Sequence, residues 1–182
     1  MKGYLLRAAI AVGWAALALA GTPVAADVAP NRLALVIGQA SYSGDALPTA
    51  ANDAALVART LASDGFDVTE LHDLNTPDLD AGYRAFLEKV KAAPPGAAVM
   101  VYLTGLGVSV GCDDYLLPVD AHIQRESEVP RIALSMTRTM TDLAQTQSQV
   151  RLVILDGARP IPSSVSAVSF PVPAIAAGVL SR

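Results

Sequence analysis

From Arg32 onward, apolar and polar positions alternate between two patterns. Residues 33–37 are a continuous apolar run closed by Gly38, as in a parallel strand covered on both faces. Residues 41–51 are rich in turn formers and predict a loop. Asn52 is placed to cap a first helix, with Asp53 at its positive end. Ala54, Val57, Ala58, Leu61 and Ala62 then share one helical face, and Gly65 stops the helix. Residues 66–71 alternate and predict a second strand nearer a sheet edge. Thr76-Pro77 reads as an N-cap with proline at the first helical position. The apolar stripe of that second helix is Leu79, Tyr83, Phe86, Leu87 and Val90, and Pro94-Pro95-Gly96 ends it. Residues 97–103 predict a third strand, and 108–110 with 115–118 a hairpin. Residues 135–147 predict a weaker helix burying Leu134, Met136, Met140, Leu143 and Ala144; residues 151–156 predict a fourth strand.

Strands alternating with helices of this length imply an α/β fold, a mostly parallel sheet with helices on both faces. Ligands of such sheets bind outside the carboxyl ends of the strands. Those ends read Gly38-Gln39-Ala40, Thr104-Gly105-Leu106-Gly107 and Asp156-Gly157-Ala158-Arg159. The two glycine-containing segments predict loops where the backbone bends sharply or closely approaches a ligand.

Residues 1–26 stand apart from this pattern. They carry Lys2 and Arg7, no acid, an apolar stretch over 8–20, and Val24-Ala25-Ala26 before a cleavage point. That is the plan of a secretory signal peptide, and the apolar stretch is short for a spanning helix, which needs ~20 residues. The expected destination is periplasmic or secreted, with membrane attachment only if the segment stays uncleaved as an anchor. The whole chain has 182 residues, 52% apolar and 16% charged, with a formal net charge of −4. This composition excludes a disordered acidic tail, and the lack of a basic excess excludes electrostatic nucleic-acid binding. A single cysteine excludes an internal disulfide.

Candidate chemistry is sparse. The chain has no Gly-x-Gly-x-x-Gly after its first strand, no Walker loop and no Gly-x-Ser-x-Gly elbow. His72 and His122 share no ligand spacing and read as surface residues. Cys112 lies in the hairpin turn beside Asp113 and Asp114, whose charges disfavour a thiolate. Those two acids read as solvated turn residues, because a hard cation wants six or more oxygens. No metal and no cofactor is expected.

Five ordered segments carry a resemblance. Arg32-Leu33-Ala34-Leu35-Val36-Ile37-Gly38, with Tyr42, Leu47-Pro48 and Ala51-Asn52-Asp53-Ala54, resembles the opening of the bacterial caspase-like domain. The helix-to-strand join over 61–68 resembles that family's first join. Thr104-Gly105-Leu106-Gly107 resembles the segment where the family carries Gly-His-Gly, and 114–121 the segment after it. Asp156-Gly157-Ala158-Arg159 resembles the family's Asp-Ala-Cys-Arg. Leu106 and Ala158 lie 52 residues apart, against ~50 between a caspase histidine and cysteine.

The resemblance implies a three-layer caspase-like fold, and it implies that Leu106 and Ala158 occupy the positions of the catalytic base and nucleophile. Leucine transfers no proton and alanine forms no thioester, so the resemblance implies a pseudo-peptidase with no catalytic residue. It also implies a peptide-binding shell at Asp156, Arg159, Gly105 and Gly107. Asp156 matches an acid that lines a pocket for basic side chains, or it is a strand-end carboxylate bonding loop amides. Arg159 matches the family's arginine, or it forms a loop salt bridge. The expected organisation is a signal peptide over 1–26, a caspase-like domain over 27–160 and a proline-containing tail over 161–182. The family's sheet continues beyond the nucleophile segment, so the fold is expected to be truncated at its C-terminal part. The fourth strand would then present an edge that the tail covers or a partner pairs with. The expected partner is a protein or peptide in the cell envelope, with edge-strand homodimerisation as one form. Two alternatives remain open: a cysteine endopeptidase with a non-standard Cys112 and His122 site, and a truncated remnant without function.

Overall fold

A computed structural model describes residues 31–43 and 46–158. The segment 1–26, Arg159 and the tail 161–182 lie outside the described residues. The elements run β1 (Arg32–Gly38), α1 (Pro48–Ser63), β2 (Asp67–His72), α2 (Thr76–Lys91), β3 (Ala98–Val110) and β4 (Asp113–Leu116). A short 3-10 turn (Glu126–Glu128), α3 (Val129–Ile132), β5 (Leu134–Ser135), α4 (Met136–Ala144) and β6 (Val150–Ala158) follow. The parallel sheet has the order β2-β1-β3-β6, and the far end of β3 turns back into the antiparallel β4 and β5.

The sheet is the middle of three layers. On one face, Leu33, Leu35 and Ile37 of β1 pack with the stripe Leu79, Tyr83, Phe86, Leu87 and Val90 of α2 and with Leu143 of α4. On the other, Ala34, Val36 and Tyr102 pack against Ala54, Ala58 and Leu61 of α1. Alanines at this contact bring α1 close to the strands: a Cβ on Gly38 would stand 2.6 Å from that of Ala54. The α/β class, the sheet with helices on both faces and the edge position of β2 are as the hydrophobic pattern predicts.

Several local expectations are corrected. α1 begins at Pro48, not after Asn52, and its N-cap is Leu47. Proline is preorganised for a first helical turn, and burying Ala50 outweighs the capping preference of Asn52. In α2 the cap is Asn75, whose side chain accepts from the Asp78 amide at 2.9 Å. Thr76 is already helical, and its N–H and hydroxyl donate to Asp120 Oδ1 at 2.8 and 3.1 Å. In α4 the buried residues are Leu143, as expected, and Thr139, while Met140 is 44% exposed and Ala144 is exposed. The Thr139 hydroxyl donates to the Ser135 carbonyl at 2.7 Å, which lets a polar residue take the inward position. Among the described residues, no helix is long and apolar enough to cross a membrane.

The largest correction concerns the two glycine-containing segments. Among the described residues neither forms a loop: β3 runs unbroken through Thr104, Gly105, Leu106 and Gly107, and β6 reaches Ala158. Pairing on both sides of β3 overrides the glycine signal, because Thr104 lies between Gly38 of β1 and Asp156 of β6.

Candidate functional site

The carboxyl ends of β1, β3 and β6 meet in one place. Across β3 and β6 the register pairs Thr104 with Asp156, Gly105 with Gly157 and Leu106 with Ala158. Leu106 and Ala158, far apart in the chain, are neighbours on adjacent parallel strands. Leu106 is buried in an apolar cluster with Tyr42, Val108, Tyr115, Leu117, Ile123 and Val129. Its N–H donates to the Tyr42 hydroxyl at 2.9 Å, and that hydroxyl donates to the Leu117 carbonyl at 2.9 Å. Burial holds the Tyr42 phenol well above its ordinary range, so it stays a neutral bridge.

The glycines are needed for close packing here. A Cβ on Gly105, whose φ is +150°, would stand 2.7 Å from the Tyr42 oxygen and 2.8 Å from Gln39 Cβ. A Cβ on Gly107 would stand 3.3 Å from Gly157 Cα. Beside these two glycines lies a cavity of about 200 Å³, walled by Val108, Leu155, Met136 and Asp114.

A second group of side chains lies on the α1 face. Asp156 is exposed, and its Oδ2 accepts from the Tyr102 hydroxyl at 2.8 Å. Burial, then the Asp156 bond and charge, push the Tyr102 phenol up to about 12, and the charge of Asp53 adds in the same direction. Asp156 on β6 therefore bonds the tyrosine hydroxyl, and Asp53 on α1 acts on it through its charge alone. An acidic corner of this kind suits a cationic side chain with an apolar stem. Asp53 and Tyr102 are missing from the sequence-predicted site. Asp53 stood only for a helix-end charge, although it belongs to the Asn52-Asp53-Ala54 segment, and Tyr102 is hidden in an apolar run.

The other candidates lie apart. His72 ends β2 as the register partner of Gly38, with Nε2 3.0 Å from Glu70 Oε1. Cys112 is exposed at the turn between β3 and β4, and His122 is exposed in the following loop. Asp113 is not a solvated turn acid. It accepts from the Ser135 hydroxyl and, at 2.9 Å, from the Thr137 amide, tying the hairpin to the start of α4. Among the described residues, no three His, Cys, Asp or Glu side chains are grouped to hold a metal ion.

Comparison with known proteins gives a family. A family model described as the caspase domain matches residues 31–170. Among solved structures, the chain is similar to one described as pro-sf-caspase-1, at 14% identity and a TM-score of 0.47. That similarity covers 73% of this chain and 53% of the other, so the chain spans about half of that structure's length. No curated protein matches.

Proposed function

The chain belongs to the caspase domain family, matched over residues 31–170, and from that premise we propose a member without peptidase chemistry: a protein- or peptide-binding module exported to the cell envelope. One observation carries this reading, the register pairing of Leu106 with Ala158 at the carboxyl ends of β3 and β6. Caspase-type proteolysis needs a thiolate to attack the amide carbonyl and an imidazole to protonate the leaving amine. On the family resemblance, Leu106 takes the place of the imidazole and Ala158 that of the thiol. Neither residue can do the chemistry, while the backbone that would position it remains.

What remains is recognition. The acidic corner of Asp53, Asp156 and Tyr102 would take an Arg or Lys side chain, and Gly105, Gly107 and Arg159 belong to the proposed peptide-binding shell. β6 adds a second surface. Among the described residues its outer edge has no strand partner, and Val150 and Leu152 are 58% and 48% exposed. A partner strand, including that of a second copy, would satisfy those backbone groups by β-addition. Export rests on the signal-peptide pattern of residues 1–26, which places the module in the periplasm or outside the cell.

A diverse peptide library, read by mass spectrometry, tests the reading. The natural chain is expected to cleave nothing. The double variant Leu106→His with Ala158→Cys is expected to cleave after Arg or Lys. Cleavage by the natural chain, abolished by thiol alkylation, would make Cys112 a working nucleophile and overturn the proposal. Absence of cooperative thermal unfolding would instead support a non-functional remnant. For the corner itself, Asp156→Asn is expected to weaken binding of an Arg-containing peptide about tenfold, the size of one lost charge-assisted hydrogen bond. Unchanged affinity would remove Asp156 from the site.

A further inference from the structure

A cleft of about 350 Å³ separates α2 from α3 and α4, within the size range of small-ligand and side-chain sites. Three arginines line it, Arg84 of α2, Arg131 of α3 and Arg138 of α4, against one lining carboxylate, Asp80. Asp80 is shared: it accepts from Arg84 Nε at 2.6 Å and from Arg138 Nη1 at 3.4 Å. Arg138 is further held by Asp142, 3.6 Å away, and lies over the Tyr83 ring at 5.9 Å. Arg131 is exposed and, among the described residues, has no carboxylate partner. Half-buried Ile132 offers the same cleft an apolar side chain above buried Leu79 and Leu134.

In a chain of net charge −4 the cleft thus holds three arginines against two carboxylates, Asp80 in its lining and Asp142 behind Arg138, and Arg131 is the one whose charge no carboxylate meets among the described residues. Guanidinium forks match carboxylates two bonds at a time, and Ile132 suits one small apolar side chain beside the carboxylate in a peptide. We infer that this cleft is a docking site for an acidic peptide segment, a Glu or Asp next to an apolar residue, supplied by another chain. The segment 159–182 contains Arg159 and Arg182 and no Asp or Glu, so it lacks the complementary charge. Arg131 makes the primary contact, Arg84 closes on the same carboxylate, and Arg138 is the fixed member. The inference does not depend on the strand-end site.

The test is fluorescence anisotropy of the full chain with a labelled peptide of alternating Glu and Leu, beside the same peptide with Gln for Glu. The Glu peptide is expected to bind at least tenfold more tightly, and the difference to shrink with added salt. Arg131→Ala and Arg84→Ala are each expected to weaken it roughly five- to tenfold, with thermal unfolding unchanged because both side chains are exposed. Arg131→Lys is expected to fall between, since an ammonium keeps the charge without the planar fork. Four outcomes would overturn the inference. These are no binding by either peptide, equal binding of both, no effect of Arg131→Ala, and displacement of the peptide by an equal concentration of inorganic phosphate. The last would mark a site for small free oxyanions.

Discussion

Gly105→Ala is expected to cost about 3–5 kcal/mol of folding stability, combining overpacking with backbone strain. The new Cβ would arrive 2.7 Å from the Tyr42 oxygen and 2.8 Å from Gln39 Cβ, at a φ of +150° that L side chains rarely adopt. Neither neighbour is free to yield. Tyr42 is fixed by bonds to Leu106 N–H and the Leu117 carbonyl. Gln39 is fully buried, donating to the Leu74 carbonyl at 2.8 Å and accepting from its amide at 2.6 Å. Urea unfolding measures the loss directly. Tyr42→Phe alone removes a bridge between two buried backbone groups and is itself destabilising. Combined with Gly105→Ala, it also removes the atom in the clash, so the two losses are expected to add to less than their sum. A single-variant loss below about 1 kcal/mol would refute the packing account, being smaller than either contribution alone.

Asp113→Ala is expected to cost about 2 kcal/mol near neutral pH, the scale of hydrogen bonds to a charged acceptor together with a helix cap. Ser135 caps α4 through the Arg138 amide, and Asp113 takes the Thr137 amide and the Ser135 hydroxyl. Two of the first-turn donors would otherwise need water. Partial burial raises the Asp113 carboxyl, but the bonds from Ser135 and Thr137 outweigh it and hold the group below its ordinary value. A carboxylate depressed in the folded state stabilises above its unfolded pKa, about 4, and that stability is lost as pH falls through the folded value. The gap between the natural chain and Asp113→Ala should therefore be full at pH 7 and pH 5 and close progressively below about pH 4. Asp73 behaves alike. Partial burial raises it, but the Ser41 hydroxyl and the Ala40 and Ser41 amides together hold it low. The natural chain is thus expected to lose stability in the same window. Urea midpoints across that range check both statements, and a gap that stays constant to pH 3 would contradict them.

The helical stripe and the parallel strands were legible because burial and period act together. All five stripe residues of α2, Leu79, Tyr83, Phe86, Leu87 and Val90, are buried. What misled was local chemistry that tertiary pairing overrides. Gly105 and Gly107 read as loop formers, yet β1, β6 and β4 pair along both sides of β3 and keep that segment extended. Thr139 took the inward place expected for Met140 because a hydroxyl that bonds its own helix can turn inward. At the strand ends, the adjacency of Leu106 and Ala158 could be read from the order of the family-like segments. The Asp53, Tyr102 and Asp156 corner could not, because three different elements supply it. The same is true of the arginine cleft, whose three guanidiniums come from α2, α3 and α4.

The pairing of β3 with β6 has a kinetic consequence. Register sets Ala98 opposite Val150 and Leu106 opposite Ala158, a separation of 52 residues at both ends of the ladder. In a parallel ladder every contact spans the same loop, so its closure entropy is met at the first contact and the remaining pairs zip at little further entropic cost. High contact order of this kind slows folding. During synthesis the innermost strand of the sheet leaves the ribosome with one side open and waits about fifty residues for the strand that closes it. Refolding rate, rather than final stability, is where lengthening the 111–149 segment would first be felt.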